Sequence, residues 1–297
     1  YSAGLERVVD IDQVRTRAFK LVVDYSFGAA SIVMPSLLTK LGAEVLAVNP
    51  FASTSSATST ADVRDAQLAR IAELVRVSGS DLGFVVDPDG ELATFVDDLG
   101  HVLGPEEVLL AIVALIAEAL PDSSVAVPVN VTSAVDRILG RPGAVVRTKL
   151  WGASLMETAS ARAVAFAGTP DGGCIWPDFL PAYDAAVTLV KLLDLLAAVD
   201  RPLSWVRERL PVTHVVHETI VTPWERKGTV MREIVERAGD SPVELIDGVK
   251  VVDGDQWALV LPDPDEALTH VWAEAGSDAD ARRLAEEYVQ RVRRALR

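Results

Sequence analysis

Hydrophobic and polar positions in this chain switch repeatedly between a period near two and a period near 3.6. "FKLVVDYSFGAASIVMPSLLTKLGAEVLAVN" (19–49) opens on a β-rich run, turns at Gly28, continues with a helical stripe at Val33, Leu37, Leu38 and Leu41 that Gly42 ends, and closes on a second apolar run. That order predicts a βαβ unit and hence a parallel sheet. "FASTSSATST" (51–60) has no period and reads as a polar, mobile loop. "VRDAQLARIAELVRVSG" (63–79) is an amphipathic helix, "LGFVVD" (82–87) and "ATFVDDLG" (93–100) are strands, and Pro105 starts a helix through Leu120. "SVAVPVN" (124–130) reads as a further strand of the same unit.

The alternation then restarts. "GAVVRTKL" (143–150) and "AVAFAG" (163–168) are strands, separated by the helix "GASLMETASAR" (152–162) and followed by the long helix 184–200; "RPLSWVRERLP" and "THVVHETIVTPWERKG" form the exit from this unit. From about residue 229 the style changes: one helix, four short strands with Asp-Gly turns, and a closing helix capped by Ser277 with acids in its first turn. The expected fold class is two successive α/β domains with mostly parallel mixed sheets, then a small α+β domain with an antiparallel sheet.

Composition narrows what such a chain binds. A net charge of −15 disfavours nucleic acid and anionic membrane surfaces, both of which need clustered Lys and Arg. No run reaches the ~20 uncharged apolar residues of a membrane span. The single cysteine, Cys174, excludes an internal disulfide and fits a reducing, cytoplasmic compartment. Beginning at Tyr1, the chain reads as a fragment.

"DPDGEL" (87–92) carries Asp87, Asp89 and Glu91 at alternate positions, a spacing from which three carboxylates can reach one hard cation such as Mg²⁺. The same residues form a tight turn without any metal, and the turn is the favoured reading. Arg147 and Lys149 alternate along one strand face, and Arg226 and Lys227 lie in a loop; all four are anion-contact candidates against a default of surface charge. His214 and His217 in "HVVHE" face opposite sides of a strand and read as structural.

The order of units resembles domains two, three and four of the α-D-phosphohexomutases, the phosphomannomutases and phosphoglucomutases. "LVVDYSFGAASIVMPSLLTKLGAEVLAVN" is similar to the opening of the second domain, "GAVVRTKL" with "CIWPDFLPAYDAAVTLVKLLDLLA" to the third, and "DGVKVVDGDQWALVLPDPDEALTHVWAEA" to the fourth. The resemblance implies linker 1–18 from a first domain, a metal-loop domain 19–132, a sugar-loop domain 133–228 and a phosphate-loop domain 229–297. It implies phosphoryl transfer through a phosphoserine in the first domain, so no catalytic residue is assigned within these residues.

The family's loops are altered here. Where it reads Asp-Gly-Asp-x-Asp-Arg, this chain places Asp87, Asp89 and Glu91, with Leu92 in the arginine position. Where it reads Gly-Glu-x-Ser-Gly-His, "AGTPDGG" places Thr169, Asp171 and Gly173. Where it reads Arg-Pro-Ser-Gly-Thr-Glu-Pro, "LPDPDEA" (261–267) places Leu261, Asp263, Pro264 and Asp265. The resemblance thus implies weak Mg²⁺ binding at Asp87, Asp89 and Glu91, and substrate contacts at Arg147, Lys149, Thr169 and Asp171, with a sugar phosphate in an interdomain cleft. The expected function is a degenerate module, inactive by itself, serving as the regulatory or scaffolding part of a mannose-1-phosphate guanylyltransferase-type nucleotidyltransferase, joined in cis or as a homo-oligomer. The alternative is a Mg²⁺-dependent phosphomannomutase or phosphoglucomutase lacking its first domain.

Overall fold

The computed structural model describes residues 1–53, 61–161, 163–239 and 241–297. Most of the expected mobile loop, 54–60, lies outside the described residues. Helices α1 (Ser2–Leu5) and α2 (Ile11–Arg17) precede β1 (Lys20–Asp24), α3 (Ala30–Lys40) and β2 (Glu44–Val48). There follow α4 (Ala61–Ser78), β3 (Leu82–Val86), β4 (Ala93–Val96) and α5 (Pro105–Ala119). The middle of the chain forms β5 (Val125–Pro128), α6 (Ala134–Leu139), β6 (Val145–Thr148) and α7 (Gly152–Ala161). Next come β7 (Phe166–Gly168), β8 (Cys174–Trp176), β9 (Leu180–Tyr183), α8 (Ala185–Val199) and α9 (Leu203–Arg207). The last part holds β10 (Val215–Val221), α10 (Lys227–Glu236), β11 (Val243–Glu244), β12 (Val249–Asp253), β13 (Gln256–Pro262), β14 (Leu268–Glu274) and α11 (Asp278–Ala295).

These elements divide into two compact units. The first comprises 1–127, 135–146 and 155–210, and the second 128–134, 147–154 and 211–297. The first sheet runs β2-β1-β3-β4, with β1 parallel to both β2 and β3 and β4 returning antiparallel. Ile71, Ala72 and Val75 of α4 close one face of it over Val22, Val85 and Val96. The second sheet runs β6-β5-β7-β8-β9, and Ala126, Ala167 and Ile175 pack with Leu155 and Ala159 of α7. Helix α8 is apolar almost all round, which suits a helix buried on most sides. The Asp184 carboxylate caps it by accepting from the Val187 N–H at 3.0 Å.

The third sheet, β10-β14-β13-β12-β11, is antiparallel throughout. One face carries Val251, Val260 and Val271 against Val230 and Ile234 of α10 and Val289 and Val292 of α11. The other carries Trp257, Leu259, Leu261 and Trp272 with Val129. Each fully buried aliphatic side chain in these layers contributes roughly 1.5–3 kcal/mol.

Two boundaries differ from the expectation. The strand at 125–128, grouped with the second domain (19–132), pairs with β6 and β7 of the next sheet instead. Likewise β10, placed within 133–228, pairs with β14 of the last sheet from Val215↔Glu274 to Val221↔Leu268. In both cases the strand was visible locally. Its partner was not, because pairing with a strand far along the chain leaves no trace in a sequence period.

Candidate functional site

The loop after β3 is closed on itself. Asp87 Oδ1 accepts from the backbone N–H of Glu91 (2.7 Å) and of Leu92 (3.0 Å), and the Gly90 N–H donates to the Asp87 carbonyl at 3.1 Å. Gly90 adopts φ +82°, which the turn requires and which other residues resist. Gly28 lies so near this loop that a Cβ there would stand 2.6 Å from the Pro88 carbonyl oxygen. Hard cations need several converging oxygens, and among the described residues no group of three or more His, Cys, Asp or Glu side chains is placed to hold a metal ion. Asp87 thus spends Oδ1 as the clasp of the turn; a Mg²⁺ ion here would be held by its second oxygen together with Asp89 and Glu91.

Within the same unit, Leu92 forms an antiparallel bridge with Gly173, which brings the loop of Asp87 beside the loop of Thr169 and Asp171. Thr169 is buried; its hydroxyl donates to Asp171 Oδ1 and accepts from the Gly173 N–H at 3.1 Å. The Gly173 carbonyl accepts from the Thr169 N–H at 2.9 Å. Tyr183 flanks this turn, and burial, then the Asp171 charge, push its phenol above its ordinary value. Cys174 follows in β8, buried, its thiol pushed up to about 12 by burial, so it is an inert apolar side chain.

In the second unit, the Arg147 guanidinium donates to the carbonyls of Val131 (2.7 Å) and Thr132 (3.3 Å). It thereby ties down segment 128–134. Lys149 follows the end of β6 and is exposed, so the two residues do not form the expected shared strand face. Glu274 is buried yet accepts from Thr132 Oγ1, the Ser133 N–H (2.8 Å) and Trp257 Nε1. Lys250, also buried, donates to the Val129 carbonyl at 3.1 Å and stands 4.0 Å from the Trp257 ring centre.

The loop 261–267 holds an arrangement that the sequence pattern does not announce. Asp263 Oδ1 accepts from the N–H groups of Asp265 (2.8 Å) and Glu266 (2.7 Å), while Oδ2 meets His270 Nε2 at 2.9 Å. The His270 bond, then the Asp265 N–H, hold the Asp263 carboxyl at about 2, below its ordinary 3.8. His270 Nδ1 in turn meets His217 Nε2 at 3.0 Å, and the His217 ring stacks on Trp272 at 4.3 Å with 5° between planes. Burial, then its neighbour His270, lower the His217 pKa. Lys227, read as a surface charge, is buried and donates to the Asp263 and Glu266 carbonyls. Residues 217 and 270 are 53 apart, so only the β10–β14 register brings them together.

Residues 1–100 match the family model described as phosphoglucomutase/phosphomannomutase, alpha/beta/alpha domain II, and residues 105–213 match that of domain III. A probable phosphoglucosamine mutase of Methanopyrus kandleri is 31% identical over 98% of this chain and 65% of its own length. A phosphoglucomutase/phosphomannomutase of Thermococcus kodakarensis is 26% identical over 100% of this chain and 66% of its own. The chain thus spans about 65% of the length of the curated relatives it matches. Among solved structures, a phosphoglucomutase/phosphomannomutase family protein from Burkholderia thailandensis shares the fold with a TM-score of 0.77 at 19% identity, covering 96% of this chain and 63% of that one. An N-acetylphosphoglucosamine mutase of Aspergillus fumigatus, solved in complex with GlcNAc-6P and magnesium, gives 0.66 at 13% identity over 98% and 69%. These relatives are mutases by name. The nucleotidyltransferase connection placed first by the sequence reading has no support among them, and the mutase alternative fits better. Residues 1–100 and 105–213 are thus domains II and III of the phosphoglucomutase/phosphomannomutase family.

Proposed function

We propose that this chain is the domain II to IV portion of a protein that binds a hexose or aminohexose phosphate and takes part in its intramolecular phosphoryl transfer, with domain limits near 100/105 and 210/211. The carrying observation is colinear similarity to a probable phosphoglucosamine mutase over 98% of the chain. In this reading the loop of Thr169 and Asp171 meets the substrate's hydroxyls, while the transferred group resides on residues outside these 297. Phosphoryl transfer depends on positioning and electrostatic stabilisation, so a partial set of domains is expected to bind substrate without turning it over.

A second reading, binding without any phosphoryl transfer, is favoured by the loop after β13. It presents Asp263, Asp265 and Glu266 where the resemblance expects cationic and hydroxyl donors.

Two measurements separate these readings. Calorimetric titration with glucosamine 6-phosphate, glucose 1-phosphate and mannose 1-phosphate should give saturable binding that weakens in Asp171→Ala. A coupled mutase assay, with a 1,6-bisphosphate activator and with or without Mg²⁺, should show turnover in the protein carrying the upstream family domain. Binding without turnover there would select the second reading. Absence of both would overturn the proposal.

A further inference from the structure

Three side chains on or beside one face of the last sheet form a line: Asp263, His270 and His217. The contacts are 2.9 Å from Asp263 Oδ2 to His270 Nε2 and 3.0 Å from His270 Nδ1 to His217 Nε2. The two imidazole centroids are 5.2 Å apart, so the rings meet nearly end to end, as a shared N–H requires. Metal ligands would instead converge on a common point, which this line does not do.

The hydrogen-bond chain assigns the tautomers. A carboxylate only accepts, so His270 Nε2 carries a hydrogen toward Asp263. With neutral rings, His270 Nδ1 is then an acceptor and His217 Nε2 must be the donor. The one nitrogen left with an outward lone pair is His217 Nδ1, for which the described residues offer no partner. His217 is exposed, and stacking on Trp272 fixes its ring plane.

We propose that His217 is a nucleophilic imidazole, a site for acyl transfer from activated donors such as anhydrides, acyl phosphates or thioesters, with His270 and Asp263 as its proton relay. The Nδ1 lone pair attacks the carbonyl carbon and the bond to the leaving group breaks, that group departing with the electron pair. The hydrogen on Nε2 passes to His270 Nδ1, whose positive charge sits against the Asp263 carboxylate. Neutral acyl-imidazole remains, and water releases the acid and restores the ring. Carboxylate-oriented imidazoles assist nucleophiles in this way elsewhere, and histidine itself forms covalent intermediates. The other charges nearby do not intercept the relay. Lys227 holds loop carbonyls, Asp265 and Glu266 are exposed, and Glu218 lies on the opposite face of β10 with Arg282.

The test is competitive acylation of the intact chain with diethyl pyrocarbonate near neutral pH, read by mass spectrometry at each of the four histidines. His101, exposed and beside Glu107, serves as an internal reference. His217 should be modified several-fold faster than His101. Asp263→Asn and His270→Gln should each lower the His217 rate about 10-fold while leaving that of His101 unchanged. Nitrogen-15 NMR should place the His217 proton on Nε2. A His217 rate equal to that of His101, or one indifferent to both substitutions in variants whose amide spectra remain native, would overturn the proposal.

Discussion

Lys227 Nζ lies 2.5 Å from the carbonyl oxygens of both Asp263 and Glu266. A loop that the resemblance makes a phosphate cradle therefore turns its backbone oxygens inward onto a buried ammonium, which also rests 3.4 Å from the Trp224 ring centre. Lys227→Met keeps the stem and removes the donors. Hydrogen bonds to charged groups are worth about 1.5–3 kcal/mol, so the variant should lose about 2 kcal/mol in urea unfolding. Amide exchange at Asp265 and Glu266 should quicken with it. Unchanged exchange there would show that the ammonium does not hold the loop.

A glycine explains how the turn of Asp87 keeps its place. A methyl at residue 28 would meet the Pro88 backbone at 2.6–2.8 Å. Backbone cannot swing aside as a side-chain end can, so Gly28→Ala should cost roughly 1–3 kcal/mol as an overpacking change. Amide shifts should concentrate at residues 87–92, and a variant with wild-type stability and spectrum would refute the contact.

Elements were legible in this sequence wherever one local signal sufficed: Pro105 at a helix start, Ser277 at a cap, the periodic stripe of α3. What failed was partnership. β5 and β10 read correctly as strands and were assigned to the wrong neighbours, since any apolar edge accepts any other until the whole sheet is known. The candidate site was legible as residue types and not as bonding. Asp87, Asp89 and Glu91 have suitable types and spacing, but Asp87 spends one oxygen on its own loop. Arg147 spends its donors on carbonyls of segment 128–134. Neither satisfaction is visible in a motif.

Glu274 supplies a third test. Its carboxylate is the common acceptor for Thr132, Ser133 and Trp257, all inside the second unit. Glu274→Leu takes the acceptor from Thr132 Oγ1 and the Ser133 N–H and leaves Trp257 Nε1 only Ser133 Oγ at 3.1 Å, and each orphaned group costs roughly 1–3 kcal/mol. A loss of about 3 kcal/mol is expected, with the indole resonance of Trp257 and the amides of 132–134 shifting together. Glu274→Gln, which keeps an acceptor oxygen, should lose less. Equal losses for both variants would mean that packing, and not acceptance, is what the carboxylate provides.

The last prediction concerns acid. Asp263 titrates at about 2 in the folded chain against 3.8 for an ordinary aspartate, chiefly through its bond to His270 and then through the Asp265 N–H. A depressed folded pKa means that the unfolded chain binds the proton first. The carboxylate therefore stabilises the fold fully above 3.8, and that contribution drains away as pH falls toward about 2. Asp263→Asn cannot titrate, so its stability deficit relative to the parent should be largest near neutrality and should shrink across that window. His270→Gln removes the foremost cause of the shift, so in that background the window should narrow from its acid end. Urea midpoints for the parent and both variants, measured at several pH values through this range, decide the matter. A deficit for Asp263→Asn that stays constant from neutrality down to about pH 2 would show that the carboxylate charge is not engaged by His270, and would remove the anchor of the His217 relay as well.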